Sequence, residues 1–302
     1  MLTGTVIETI TEYTSPERVK TGETLSAHTS FRIGGAAGCF VEIGSPKELT
    51  DVSEYLKREK IRFFVLGNGS NTLFSDEGFD GVVLHIGKGL SEIKVRGNVI
   101  YAGAGALLSA VSKQAAANSL SGLEFAAGIP GTVGGGLVMN AGAYDGEMKQ
   151  VVKSAQVITP EGGLRELGIG ELKLDYRSSI LRHSGYIVTG VTFELKPGDK
   201  NRILGMMEDF GIRRREKQPL ELPSAGSTFK RPEGNFAGKL IMDAELRGFQ
   251  IGGARVSDKH CGFIVNTGNA TSEDVVKLIE TVQKRVYERF GVMLEPEIEI
   301  VK

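Results

Sequence analysis

From Thr271 to Gly291 the apolar positions follow helical spacing. Val275, Leu278, Ile279, Val282, Val286 and Phe290 fall three or four residues apart, so one stripe of an α-helix collects them and turns the charged positions outward. Thr271 or Ser272 stands where a cap is needed, acids fill the first turn, and Gly291 closes the far end. A second start signal is Ser45-Pro46-Lys47-Glu48, a capping box with proline at the first helical position, which predicts a helix to about Glu59. Further helices are expected near 106–118 and 201–216. The short apolar runs 61–67 and 81–86 predict buried strands. Strands are also expected in "VIYAGAG", "SAQVIT", "YIVTGVTFEL", which alternates as a half-buried strand should, and the final "EIEIVK". Helices and strands mixed throughout predict an α+β protein.

Composition narrows the class. A chain of 302 residues corresponds to about two domains, or three small ones. Its 36 basic and 37 acidic residues leave a net charge of −1, with no global field to recruit nucleic acid or an anionic membrane. The one dense basic run, "IRRREKQP" at 212–219, reads first as the polar face of a helix. Two distant cysteines, Cys39 and Cys261, argue against a disulfide scaffold. With neither a signal-peptide pattern nor a membrane-length apolar run, a cytoplasmic protein is expected.

Two glycine-rich turns need a reason, because glycine inside regular structure costs conformational entropy. One is "GNGSN" at 67–71, directly after a buried strand; the other is "GIPGTVGG" at 128–135. Positive φ, or main-chain N–H groups laid bare toward an anion, supplies that reason, and two such turns can grip a pyrophosphate from two sides. A plain tight turn is the alternative for either alone. Neither fits the Rossmann or P-loop signature, and "GAGALL" at 103–108 lacks the last Rossmann glycine.

Chemistry-bearing residues are few. The histidines His28, His85, His183 and His260 show no metal-ligand spacing, so structural roles and no metal site are expected. Ser227 lies in "PSAGSTFKRP" at 223–232, between two prolines and beside two cations. It can protonate a strongly basic carbon if cations and dipoles hold it there; a surface turn is the other reading. Arg177 in "DYRSSIL" can clamp a carboxylate through two N–H groups, or form a surface ion pair. Glu297 in "LEPEIEI" alternates with Ile298 and Ile300, and an outward, solvated glutamate is its default.

Taken in order, "HTSFRIGG", "VLGNGSNTLFSD", "GLEFAAGIPGTVGGGLVMNAGAY", "DYRSSI", "PSAGSTFKRP", "FAGKLIMDAELRGFQIGGARVSDKHCGFIVN" and "LEPEIEI" resemble the UDP-N-acetylenolpyruvoylglucosamine reductase family of bacterial peptidoglycan synthesis. The resemblance covers essentially the whole chain. It implies a two-part FAD-binding domain of the vanillyl-alcohol-oxidase/PCMH type plus a smaller C-terminal α+β substrate-binding domain. The expected regions are 1–87, 88–198 and 199–296, with the strand 297–302 returning to the first. FAD contacts would come from Gly67, Asn68, Gly69, Ser70 and Asn71, and from Gly128, Ile129, Pro130, Gly131, Thr132, Gly134, Gly135 and Asn140. "FRIGGAAG" at 31–38 carries no histidine for covalent attachment, so noncovalent FAD is expected.

The resemblance further implies NADPH as co-substrate and the enolpyruvyl ether of UDP-N-acetylglucosamine as the group reduced. Ser227 matches the family's proton donor, Arg177 and Glu297 the pair that stabilises the enolic intermediate, and Lys217 a lysine near the substrate and nicotinamide phosphates. Lys230 and Arg231 are further candidates for the diphosphate. The segment after Arg177 has no room for the inserted tyrosine lid of some members, so the chain resembles the shorter type. Cys261 is expected to be a small buried packing residue, and the protein a monomer. An FAD oxidase of another substrate and a flavin-binding regulator without turnover are the rivals; keeping Ser227, Arg177 and Glu297 together disfavours both.

Overall fold

The computed structural model describes residues 2–302. They pack into two units. The first comprises residues up to Thr21, Cys39–Asn68 and Gly81–Arg213; the second comprises Gly22–Gly38, Gly69–Asp80 and Arg214–Lys302.

The first unit carries a five-stranded antiparallel sheet in the order Leu164–Gly168, Val152–Ile158, Ile187–Glu194, Val99–Gly103, Ile93–Arg96. Gly190 in the third of these strands admits Tyr101: a Cβ there would lie 2.4 Å from the tyrosine oxygen. A four-stranded sheet runs Val19–Lys20, Ala37–Ile43, Phe79–Ile86, Phe63–Leu66, the last two parallel. One apolar core joins them: Val41, Val82 and Leu84 of the smaller sheet cluster with Ile100, Val157 and Val191 of the larger. The expected boundary at 87/88 therefore cuts through a single core.

Helix Pro46–Arg58 begins as its sequence predicts, with the Ser45 hydroxyl accepting from Glu48 N at 3.2 Å. Only half of the expected box forms. The Glu48 carboxylate turns instead to Gly44 N at 2.8 Å and to Arg18 at 2.9 Å, a charged partner the local pattern does not reveal.

The second unit is built on helix Ser272–Phe290, helix Ala237–Asp243 and a three-stranded antiparallel sheet, Gln250–Ile251, Ala254–Val256 and Ile264–Asn266. Thr271, not Ser272, caps the long helix in a complete box with Asp274, and Gly291 closes it at φ +67°. Val275, Leu278, Ile279, Val282 and Val286 are buried as predicted. Phe290, expected on the same face, is 37% exposed, because it lies in the last turn, beyond the core. Phe31, Ile33 and Leu73 enter this core from far upstream. That is why 22–38 and 69–80 leave the N-terminal region for the second unit.

The last strand forms only over Glu299–Val301, parallel to Thr72–Phe74. No helix among the described residues is long and apolar enough to cross a membrane. Both cysteines are free and buried. Burial pushes the Cys39 thiol up to about 11, and Cys261 packs in the second core.

Candidate active site

In the first unit Gly67 and Asn68, the start of the first glycine-rich turn, meet the second turn. A Cβ on Gly67 would lie 2.4 Å from Thr132 Oγ1, and the Asn68 amide donates to Pro130 O at 2.5 Å. Glycine at 67 is thus required by the approach of the second turn. Of the two reasons the sequence offers for the second turn's glycines, positive φ does not apply. None of Gly128, Gly131, Gly134 and Gly135 is in the left-handed region.

Thr132 instead starts the short helix Val133–Val138, its hydroxyl accepting from Gly135 N at 3.4 Å. Gly134 and Gly136 let that helix press on its neighbours: added Cβ atoms would lie 3.0 Å from Ala104 Cβ and 2.8 Å from Leu108 Cδ1. The N–H groups of Val133 and Gly134 donate to Ala106 O and Ala104 O, each at 2.8 Å. Gly131 and Ile129 are partly exposed and Gly135 is exposed. What the turns present is main chain and the Asn68 amide, with no charged side chain from 128 to 135.

Asn140, expected at the cofactor, is fully buried and its amide is committed to the protein. Nδ2 donates to Glu147 Oε2 at 2.9 Å and to Asp175 O at 3.0 Å, and Oδ1 accepts from Lys149 N at 2.9 Å. This spends both hydrogens and one acceptor, leaving no donor for a ligand. Asp175 and Ser178 exchange reciprocal main-chain bonds of 3.0 Å and close a turn with Arg177 at φ +51°. The half-buried Arg177 guanidinium donates to Gly142 O at 3.3 Å and lies 5.0 Å from the Tyr176 ring.

In the second unit, Ser227 and Glu297 come together. Gly226 turns the chain at φ +76°, and Thr228 anchors the loop just past the serine. Its N–H donates to Gly262 O at 2.8 Å, its carbonyl accepts from Glu297 N at 2.8 Å, and its buried hydroxyl accepts from Ile264 N at 3.0 Å. Glu297 therefore donates directly to the residue that follows Ser227, and both 227 and 297 are half-buried.

Asn71 joins them: Nδ2 donates to Glu297 O at 3.1 Å and its carbonyl accepts from Glu299 N at 2.8 Å. Gly69 sits at φ +57°, and a Cβ there would lie 2.1 Å from His28 O, so both the turn and the close approach require glycine. Ser30 ties this turn to the serine loop, donating through N to Gly69 O at 3.1 Å and through Oγ to Ser224 O at 2.6 Å. Sequence reading assigned no role to Ser30 or Thr228, whose work is carried by long-range bonds. Their place within "HTSFRIGG" and "PSAGSTFKRP" was the only signal.

His260 Nδ1 accepts from Gly262 N at 3.1 Å, beneath the Thr228 anchor, and burial holds its pKa below the ordinary value. The cations are placed less uniformly. Lys230 pairs with Glu295, and Arg231 lies 4.0 Å from the Phe236 ring. Lys217 is exposed at the end of helix Lys200–Lys217, where Lys259 caps Arg215 O at 2.7 Å.

Comparison with known proteins gives these arrangements a class. Residues 37–168 match the family described as FAD binding domain, and 218–301 match UDP-N-acetylenolpyruvoylglucosamine reductase, C-terminal domain. A glucose dehydrogenase structure, 14% identical, aligns over 65% of this chain and 44% of its own at a TM-score of 0.53, which speaks for the fold alone. The fold is thus that of an FAD-dependent oxidoreductase, with the flavin domain of the vanillyl-alcohol-oxidase/PCMH type and a C-terminal α+β domain.

The UDP-N-acetylenolpyruvoylglucosamine reductase of Lachnoclostridium phytofermentans is 49% identical over 98% of this chain and 97% of its own. The crystal structure of the Thermus caldophilus UDP-N-acetylenolpyruvylglucosamine reductase superposes at a TM-score of 0.81, with 36% identity, over 94% of this chain and 99% of that one. The chain belongs to the UDP-N-acetylenolpyruvoylglucosamine reductase family. The first unit is compatible with the cofactor this implies: Gly67 and Thr132 approach so closely that a Cβ would collide, and 128–135 sets no charged side chain against a phosphate.

Proposed function

We propose that this chain reduces the enolpyruvyl ether of UDP-N-acetylglucosamine to UDP-N-acetylmuramate, a step of peptidoglycan precursor synthesis, with NADPH as reductant. FAD, when bound, would supply the hydride chemistry that links NADPH to the terminal vinyl carbon of the substrate. Turns 67–71 and 128–135 hold the cofactor's pyrophosphate. Arg177 clamps the substrate carboxylate, and with Glu297 it stabilises the negative charge that develops next to that carboxylate, where electrostatic help lowers a barrier. The Ser227 hydroxyl then gives its proton to the carbon bearing the carboxylate, and solvent returns a proton to the serine oxygen. Lys217, exposed at the end of its helix, is the candidate partner for the phosphates of substrate and nicotinamide.

The observation that carries this reading is the Thr228 O to Glu297 N bond of 2.8 Å, which sets two of the three proposed catalytic residues side by side on anchored main chain. The test is a visible absorption spectrum of the anaerobic holoenzyme. NADPH should bleach the flavin band, and the enolpyruvyl sugar nucleotide should restore it. Recovery only with oxygen would mark an oxidase and overturn the reading.

A further inference from the structure

We infer that Asn140 is a positioning residue for the Arg177 guanidinium, acting through the carbonyl that closes the arginine turn. This rests on the proposed role of Arg177. Asp175 O accepts from Ser178 N at 3.0 Å, which shuts the turn, and from Asn140 Nδ2 at 3.0 Å, which fixes it in space. The second Nδ2 hydrogen goes to Glu147 at 2.9 Å, and Glu147 pairs across a two-residue hairpin with Gly142. Gly142 O is in turn the acceptor for Arg177 Nη2 at 3.3 Å. One buried amide thus holds both the turn that carries the arginine and the strand that receives its head group.

The need for such a clamp is visible in the backbone. Arg177 sits at φ +51°, a conformation that costs a residue with a long side chain free energy and persists where surrounding bonds impose it, whereas Asn140, at φ +43°, is of the type that adopts it most readily. No other residue type supplies two donors and an acceptor at this length: aspartate lacks the donors, and glutamine is one carbon too long.

The experiment uses holoenzyme carrying Asn140→Ala, and Asn140→Asp should the alanine variant fail to fold, each with and without Arg177→Ala. Flavin reduction by NADPH and reoxidation of the reduced enzyme by the enolpyruvyl sugar nucleotide are followed separately. We expect reduction unchanged within about twofold and reoxidation slowed by roughly tenfold to a hundredfold, the scale of a misplaced catalytic group. In the Arg177→Ala background the same change should add nothing.

A merely structural asparagine would slow both half-reactions alike, or slow reoxidation by the same factor in both backgrounds; either result overturns the inference. If Arg177→Ala itself reoxidises normally, the assignment of Arg177 fails and this inference with it. If Arg177→Ala is slow and the Asn140 effect is additive, only the inference fails.

Discussion

The arginine turn and the serine loop face the same task, holding one polar side chain still at a half-buried position, and they place the backbone strain differently. At the serine loop the left-handed residue is Gly226, with open space where a Cβ would be, and Ser227 itself is outside that region. Thr228 then pins the loop through N–H, carbonyl and hydroxyl. At the arginine turn the left-handed residue is Arg177 itself, at about 1–2 kcal/mol, and the restraint comes from a buried amide distant in sequence. A functional side chain next to its glycine can move without strain of its own. One that carries the strain depends on a partner elsewhere, so its position is more easily lost.

The largest effect expected is at Ser227. Ser227→Ala removes the proposed proton donor while leaving the Thr228 anchor intact, and should slow substrate-driven flavin reoxidation by about 10²–10⁴-fold, the usual reach of a general acid. Flavin reduction by NADPH should be unchanged; equal loss in both half-reactions, read by stopped-flow absorbance, would sink the assignment. Next is Arg177→Lys, expected to cost on the order of 10²-fold in reoxidation, because a point charge does not reproduce the two-pronged guanidinium. Near-normal kcat in steady-state assays would show that charge alone suffices.

The placement of strain can be tested directly by stability. Gly226→Ala meets no atom within 4 Å, so it should destabilise by about 1 kcal/mol from backbone alone. At 177 the order should reverse: Arg177→Gly should be more stable than Arg177→Ala by about 1 kcal/mol. Denaturant midpoints of the holoenzymes at equal slope decide both. If glycine brings no gain at 177, the turn is not strained, and the contrast between the two regions collapses.

How far the sequence showed these features depends on the range of the interactions behind them. The long helix Ser272–Phe290 was legible because its cap, stripe and closing glycine all lie within one window. The helix Val133–Val138 was missed, because three glycines in six residues read as turn; only the nearness of Ala104 and Leu108 explains Gly134 and Gly136. The assignment of 22–38 and 69–80 to the second unit was equally hidden. Phe31 and Leu73 look like ordinary apolar residues until Val275 and Ile279 are found in the same core. The partners of Asn140 lie from seven to 35 positions away, so no local pattern showed that its amide is spent inside the protein, and the resemblance placed it at the cofactor.

The smallest effect tests the scaffold of the serine loop rather than the loop. Asp274 accepts from Thr271 N at 3.1 Å and Gly253 N at 3.0 Å, which ties the long helix to the hairpin of the three-stranded sheet. These main-chain N–H bonds, with the Thr271 hydroxyl and Lys277 adding less, hold its carboxyl below the usual value. A depressed carboxylate stabilises the fold above its unfolded pKa, about 4, and loses that contribution as pH falls through the lower folded value. Asp274→Ala should therefore cost about 0.5–1 kcal/mol near neutrality, the worth of a helix cap. The gap from the parent should close as the pH is lowered past that of the folded carboxyl. Reoxidation of the reduced flavin by substrate should stay unchanged, since neither Thr228 nor Glu297 hangs on this bond. A gap in melting temperature that persists at low pH would show that the helix is held by packing and not by the carboxylate. A slowed reoxidation would mean that the serine loop draws its rigidity from the distant helix start, and would bring it closer to the arginine turn than its local anchors imply.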